Sequence, residues 1–345
     1  MLKSISIPLI LLILIFGCSK EIEKNISTIE ITLKNNKKLD SLIIYDKDKS
    51  WEVKSCLKFI DTKSAIDTLA IFKKKIYQIY AFVDGNQSEF GEIILSPNSK
   101  TNLTIDENSG LKPIDFSGDF TSANNFLAYS KSAQNDLTNQ VRNGIETKDL
   151  DLKIKQKKDL ILKKSIALNV VDSLNSYVIE KFDYFSNILR KKNEKYLYKK
   201  SLINSVGNNF TFKNTNNESI SLTSFKGKYI YIDVWATWCK PCKIEHTYLE
   251  ELENYFSNNK DLQIVSISID RDYNKWKKHV SDKSMKEIQL YSGSESDFVK
   301  FFDIGALPRF IFLDKEGRII NPDELRPSNA ELKDKIESII QKTKL

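Results

Sequence analysis

The chain has 345 residues, 41% hydrophobic and 29% charged, enough for roughly two to three domains with cores that need no disulfide framework. Only 11 Gly and 7 Pro exclude collagen-like and proline-rich material, and 53 Lys+Arg against 46 Asp+Glu is too small an excess to imply nucleic acid as a partner. Two histidines, His246 and His279, argue against a histidine-built metal centre or triad. Four cysteines remain: Cys18, Cys56, Cys239 and Cys242.

The N-terminus reads MLKSISIPLILLILIFGCSKEIEK. Lys3 precedes an apolar run from Ile5 to Phe16 that stops at Gly17-Cys18. At about 1.5 Å per residue the run covers about 18 Å, against about 30 Å of bilayer core. It is too short to span and has the length of a signal-peptide apolar region. Ending in Gly-Cys, it resembles the lipobox of bacterial lipoprotein signals, which implies lipidation of Cys18 as the mature N-terminus. An ordinary signal peptide with an incidental cysteine is the alternative, and both place the protein outside the cytosol. Ser19-Lys20-Glu21 resembles the export tags of some Bacteroidetes surface lipoproteins. The expected location is therefore the cell envelope, lipid-anchored, facing the periplasm or lying on the outer surface.

Residues 1–17 then read as signal peptide, 18–28 as tether and 29–118 as a β-rich domain. The segments ISTIEITL, DSLIIYD, KIYQIYAFV and FGEIILS alternate, are rich in β-branched and aromatic residues, and are separated by Asn, Asp, Lys and Gly. They predict a small β-sandwich or barrel. In residues 119–205 Gly and Pro nearly vanish and apolar residues recur at three and four spacing (Ile161, Leu162, Ile166, Leu168, Val171, Leu174, Val178), which predicts a connector of two or three helices. This connector holds 16 basic against 10 acidic residues, densest at RKKNEKYLYKK from Arg190 to Lys200, while residues 206–345 hold 21 of each. A solvated helix face accounts for that run, and contact with an anionic surface is the functional alternative.

Residues 206–345 change character again. ESISL, KYIYIDVW, LQIVSISID, QLYS, RFIFLD and RII are strand candidates; Lys240–Phe256, Tyr273–Ser281, Glu295–Phe302 and Asn329–Gln341 are helical candidates. The alternation predicts an α/β layer structure with helices on both sheet faces. YIYIDVW runs into ATWCKPCKIEHTYLEELENYF, so Cys239 sits at a strand-to-helix junction. Unpaired N–H groups and the positive dipole end stabilise an anion there, and Cys-x-x-Cys thiols at such ends fall from about 8.5 to between about 3.5 and 7.5. Cys242 lies one turn on, where its sulfur can return to Cys239. Pro241 suits the first turn, where a missing N–H costs nothing. The spacing gives one nucleophile and one resolver.

YIDVWATWCKPCKIE resembles the active-site segment of the thioredoxin superfamily, in its TlpA/ResA-like branch, and the likeness extends over residues 206–345. FTFKNTNNESISLTSFKGK resembles that branch's lead-in, and IGALPRFIFLDKEGRI its cis-proline segment. The resemblance implies a thioredoxin-like α/β fold at the C-terminus and thiol–disulfide oxidoreductase activity without a cofactor. It assigns Cys239 as nucleophile, Cys242 as resolver and Pro308 as the cis residue beside the redox pair. Asp233 falls where thioredoxins keep a buried carboxylate that takes the resolving thiol's proton. Glu245 matches a Glu of the branch and can serve as acid or base, while Trp238 and Trp235 match flanking aromatics. Thr247 stands where the branch commonly has a helix-kinking Pro. The implied partners are disulfide-containing client proteins and an upstream thiol electron donor, with reduction of client disulfides as the expected direction.

Three other chemistries fit less well. Cys239, Cys242 and His246 lack a fourth zinc ligand. Lys243 rather than His follows Cys242, which excludes covalent haem. Ala236 stands where a peroxidatic site would want Thr. A surface or periplasmic binding lipoprotein, whose β-rich domain takes a partner or glycan while thiol exchange is ancillary, is the alternative of a different class. Cys56 has no neighbouring cysteine and is expected as a small buried hydrophobe.

Overall fold

The computed structural model describes residues 25–33, 39–46, 48, 52–59, 64–83, 85–106, 112–207, 209–285 and 288–342. The expected signal peptide and Cys18 lie outside them. The chain divides into two units, Met1–Lys191 and Lys192–Leu345.

The first unit begins with eight strands: β1 (Ile26–Leu33), β2 (Ser41–Asp46), β3 (Glu52–Lys58), β4 (Ser64–Ala70), β5 (Lys75–Val83), β6 (Asn86–Leu95), β7 (Lys100–Asp106) and β8 (Lys112–Gly118). They form two four-stranded sheets, β4-β1-β7-β8 and β3-β2-β5-β6. Among the described strand pairings of this unit, only β1–β7 is parallel. Alternation drives the packing. Ile29, Ile31 and Leu103 from one sheet meet Leu42, Ile44 and Ile79 from the other in a single core. The structure is a β-sandwich.

Cys56 corrects the expectation of burial. On β3 the inward positions are Ser55 and Leu57, and Cys56 is a free, exposed thiol. Two buried neighbours at spacing two leave the residue between them on the outer face. Strands β3, β4, β7 and β8 were not among the sequence candidates. EVKSCLK and SAIDTLA form the outermost strands of their sheets, so each needs only a weak apolar alternation.

Three helices follow: α1 (Thr121–Gln140), α2 (Thr147–Ala167) and α3 (Asp172–Leu202). Phe126, Leu137, Leu150, Ile161, Val178 and Phe182 supply their shared core. Consecutive asparagines stitch α1 to both sheets. Asn124 Oδ1 accepts from Ile94 N–H at 2.7 Å, and Asn125 Oδ1 accepts from Phe116 N–H at 2.9 Å. Ile94 and Phe116 lie on β6 and β8, an edge strand of each sheet, so the amides satisfy backbone groups left open there.

The second unit is built on a seven-stranded sheet, in order β10-β9-β13-β12-β11-β14-β15. Its elements are β9 (Thr211–Lys213), β10 (Ser219–Ser221), β11 (Tyr229–Trp235), α4 (Lys240–Phe256), β12 (Leu262–Ser268), α5 (Tyr273–Lys283), β13 (Ile288–Tyr291), α6 (Asp297–Phe301), β14 (Arg309–Leu313), β15 (Ile319–Asn321) and α7 (Glu331–Lys342). β11, β12 and β13 are parallel neighbours; β14 lies antiparallel to β11. All seven residues of β11 are buried, as a central strand covered on both faces requires. Tyr229 and Tyr231 pack with Leu249 and Leu252 of α4 and Leu332 and Ile336 of α7. Ile230, Ile232 and Val234 pack with Trp276 of α5 and Phe298 of α6. Helices therefore cover both faces, and the C-terminal fold is thioredoxin-like. The end of α3 belongs here too: Leu202 is buried in this core, and Tyr198 Oη–H donates to Phe301 O at 2.7 Å.

Candidate active site

The site begins where β11 ends. Ala236 O accepts from Cys239 N–H at 3.0 Å, turning the chain into α4. The turn is pinned by Asp270, a buried carboxylate just past β12. Its Oδ2 accepts from Thr237 N–H at 2.9 Å and from Ser268 Oγ–H at 2.7 Å; its Oδ1 accepts from Thr237 Oγ1–H at 2.7 Å. Hydrogen bonds to a carboxylate are stronger than neutral ones, so this cluster fixes the approach to the cysteines.

Cys239 is the N-cap of α4, and its Sγ accepts from Cys242 N–H at 3.2 Å. That is the place of an N-capping oxygen, so one of the helix's orphan donors points at the sulfur. The same donor and the dipole behind it favour the thiolate over the thiol. Pro241 occupies the first turn, where it removes no hydrogen bond. The Cys239–Cys242 disulfide is formed, with Cα atoms 5.3 Å apart. Trp238 beside it is 67% exposed, whereas Trp235 is fully buried.

The cis peptide bond Leu307–Pro308 precedes β14. Leu307 packs against the cluster that contains both cysteines. A cleft of about 720 Å3 opens at this loop, lined by Gly305 and Ala306 together with Lys192, Lys195, Lys200 and Arg309.

Alternation along β11 puts Asp233 on the face of Tyr229 and Tyr231, the face that α4 covers. Asp233 is fully buried; its Oδ2 accepts from Ser266 Oγ–H and lies beside His246 Nε2, each at 3.2 Å. Glu245 is also buried, but its oxygens are engaged elsewhere. Ser328 N–H and Oγ–H donate to it at 3.1 and 2.9 Å, and Arg326 Nη1 stands 3.9 Å away. The structure thus joins Cys239 to Cys242 and Asp233 to His246, and it ties Glu245 to the loop before α7. Helix α4 runs unbroken through Thr247.

Residues 204–335 match the Redoxin family. The thiol-disulfide oxidoreductase ResA of Bacillus thuringiensis subsp. konkukian is 27% identical over 132 residues, covering 38% of this chain and 75% of the relative. A thiol:disulfide interchange protein of Bacteroides sp., solved in solution, is 31% identical over 40% of this chain and 90% of its own, with a TM-score of 0.35. The second unit is a thioredoxin-superfamily domain of the TlpA/ResA-like kind. The thioredoxin domain of a Bacteroides vulgatus thiol-disulfide oxidoreductase is 29% identical over 40% of this chain and 97% of its own, with a TM-score of 0.36. Each of these likenesses covers about two-fifths of this chain or less, so the branch membership is carried by the second unit. The second unit is thus a thiol–disulfide oxidoreductase domain, with the Cys239–Cys242 disulfide at its Cys-x-x-Cys motif.

Sequence reasoning missed three residues of this site. His246 carried a signal, since four residues after Cys242 is one turn along the same helix face. Asp270 carried a weaker one, as an acid ending an otherwise apolar strand. Ser328 carried none, because its role depends on a loop meeting Glu245 from 83 residues away. Among the described residues no group of three or more His, Cys, Asp or Glu is placed to hold a metal ion.

Proposed function

We propose that this thiol–disulfide oxidoreductase is lipid-anchored outside the cytosol through Cys18 and reduces disulfides of client proteins, being re-reduced by an upstream thiol donor. Cys239 thiolate attacks a client disulfide, forming a mixed disulfide and releasing one client sulfur. Cys242 then attacks Cys239 Sγ, closing the disulfide described above and releasing the second client sulfur. The observation that carries the exchange step is the Cys242 N–H aimed at Cys239 Sγ, which stabilises Cys239 both as attacking and as leaving thiolate. The anchor is supported by the short apolar run ending at Gly17-Cys18, and the reductive direction is the one that the TlpA/ResA-like resemblance of the sequence implies. Asp233 and Glu245 are the proposed proton-handling carboxylates, with Pro308 and Trp238 bordering the client.

Two experiments test this. The full chain must catalyse insulin-disulfide reduction with a dithiol donor, and Cys239→Ser must abolish it; equal rates in the two proteins would sink the reading. Detergent-phase partitioning of wild type against Cys18→Ser tests the anchor, which is wrong if both partition alike. Measuring the Cys239–Cys242 potential against glutathione gives the direction, since a tenfold change in equilibrium is about 30 mV.

A further inference from the structure

A carboxylate that takes the Cys242 proton must return it to water once per turnover, and Asp233 has no surface through which to do so. Its side chain is 0% exposed. Oδ1 is buried with no hydrogen-bond partner among the described residues, and Oδ2 meets only Ser266 and His246. In the disulfide state neither cysteine has an S–H to offer that bare oxygen; reduction creates one on Cys242, about one helical turn from His246. His246 is 15% exposed and lines a cleft of about 420 Å3. Trp235, fully buried, holds the His246 ring edge-on at 4.8 Å between centroids, so the ring is fixed against both Asp233 and the cleft.

From this geometry we propose that His246 is a positioning and proton-relay residue, the path by which Asp233 exchanges protons with solvent. When Cys242 resolves a mixed disulfide, its proton passes to Asp233. Its sulfur bonds to Cys239 Sγ, the Cys239–client bond breaks, and the electron pair leaves on the client sulfur, which takes a proton from water. Asp233 gives its proton to His246 Nε2, and the other ring nitrogen releases one to the cleft. The ring is left with Nε2–H donating to Asp233. Re-reduction of the disulfide by a thiol donor drives the same path backwards and restores the starting tautomer. The inference rests on thiol exchange at the Cys pair and not on its direction.

Other charged groups face this ring. Lys243 and Glu250 flank it on α4, and His279 and Lys283 line the opposite wall of the cleft from α5. Burial first, with Lys243 and Lys283 adding to it, holds His279 below the ordinary imidazole value. The Trp235 ring also meets that of His279, at 5.7 Å between centroids.

The test is made in the full chain by following insulin reduction from acid to alkaline pH. His246→Gln keeps an N–H donor for Asp233 but cannot relay; it is expected to run about tenfold slower and to lose one ionisation from the pH profile. His246→Gly is expected to be at least as slow and to recover several-fold on adding imidazole to the buffer. Imidazole should leave wild type and an Asp233→Asn/His246→Gly double variant unchanged. A Gln variant with the wild-type rate and profile overturns the proposal, as does a folded Gly variant that imidazole does not rescue. Should the Gly variant not fold, the Gln variant decides. No exchange in wild type would instead defeat the chemistry assigned to the cysteines. The relay is then read from the His246 ring nitrogen shifts, which must differ between oxidised and reduced chains and cease to differ in Asp233→Asn.

Discussion

The roles proposed for Cys239 and Cys242 are unequal, and single substitutions separate them. Cys242→Ser leaves the capping N–H on Cys239 Sγ in place, because that donor is backbone. The variant is expected to attack a client disulfide and stall, giving a mixed disulfide visible as a higher band on a non-reducing gel. Cys239→Ser should give none. Thr237 acts at one remove, through the two hydrogen bonds it donates to buried Asp270. Thr237→Val deletes the side-chain donor and leaves Asp270 Oδ1 short of a partner. The expected loss is about 2 kcal/mol of unfolding free energy, read by urea denaturation. The Cys239–Cys242 pairing and the burial of Asp233 were legible from spacing and resemblance. His246 and Ser328 were not, because their contacts join positions whose proximity exists only once α4 has docked on the sheet.

Among elements, α3 is tied to the sandwich by one acid. Glu92 on β6 accepts from Gln78 Nε2–H and Tyr177 Oη–H, both at 2.7 Å, and pairs with Lys181 Nζ at 2.8 Å. Burial pushes the Glu92 carboxyl up, but Lys181, Tyr177 and Gln78 outweigh it and hold it below the ordinary value. The folded state therefore binds the proton less readily than the unfolded chain. The stabilisation is complete above the ordinary carboxylate range and is lost as pH falls through the lowered folded value. Acid titration of thermal unfolding should show this loss in wild type, and Glu92→Gln should flatten it. The Asn124 and Asn125 contacts make a parallel case: Asn124→Ala would strand Ile94 N–H and is expected to cost about 2 kcal/mol by the same measurement. Helix α4 was readable to the residue from sequence. The short strand β9 and the edge strands β3 and β4 were not, since three residues, or the weak alternation of a sheet edge, leave little pattern to read.

For the molecule as a whole, the basic run from Arg190 to Lys200 looks different in three dimensions than in one. Arg190 pairs with Asp151, Lys195 with Asp303 and Lys199 with Asp323, so part of the run is neutralised by the chain's own acids. The class of each region was legible from its dominant period, two in residues 29–118, near 3.6 in 119–205, and alternating thereafter. The frontier between the regions was harder, because a helix has the same period on both sides of it. Leu202, Tyr198 and Lys199 follow the periodicity of α3, yet they serve the core and surface of the second unit.

That shared helix decides how the redox part can be cut free. A fragment starting at residue 206 discards Leu202 and uncovers the apolar floor it fills, for a loss of about 2 kcal/mol from that side chain alone. One starting at residue 192 keeps it, together with the bond from Tyr198 to Phe301. Calorimetry on the two fragments should rank the longer one higher in melting temperature. Anyone excising the catalytic portion for crystallisation or engineering should therefore place the scissors inside the helix, not at its visible end.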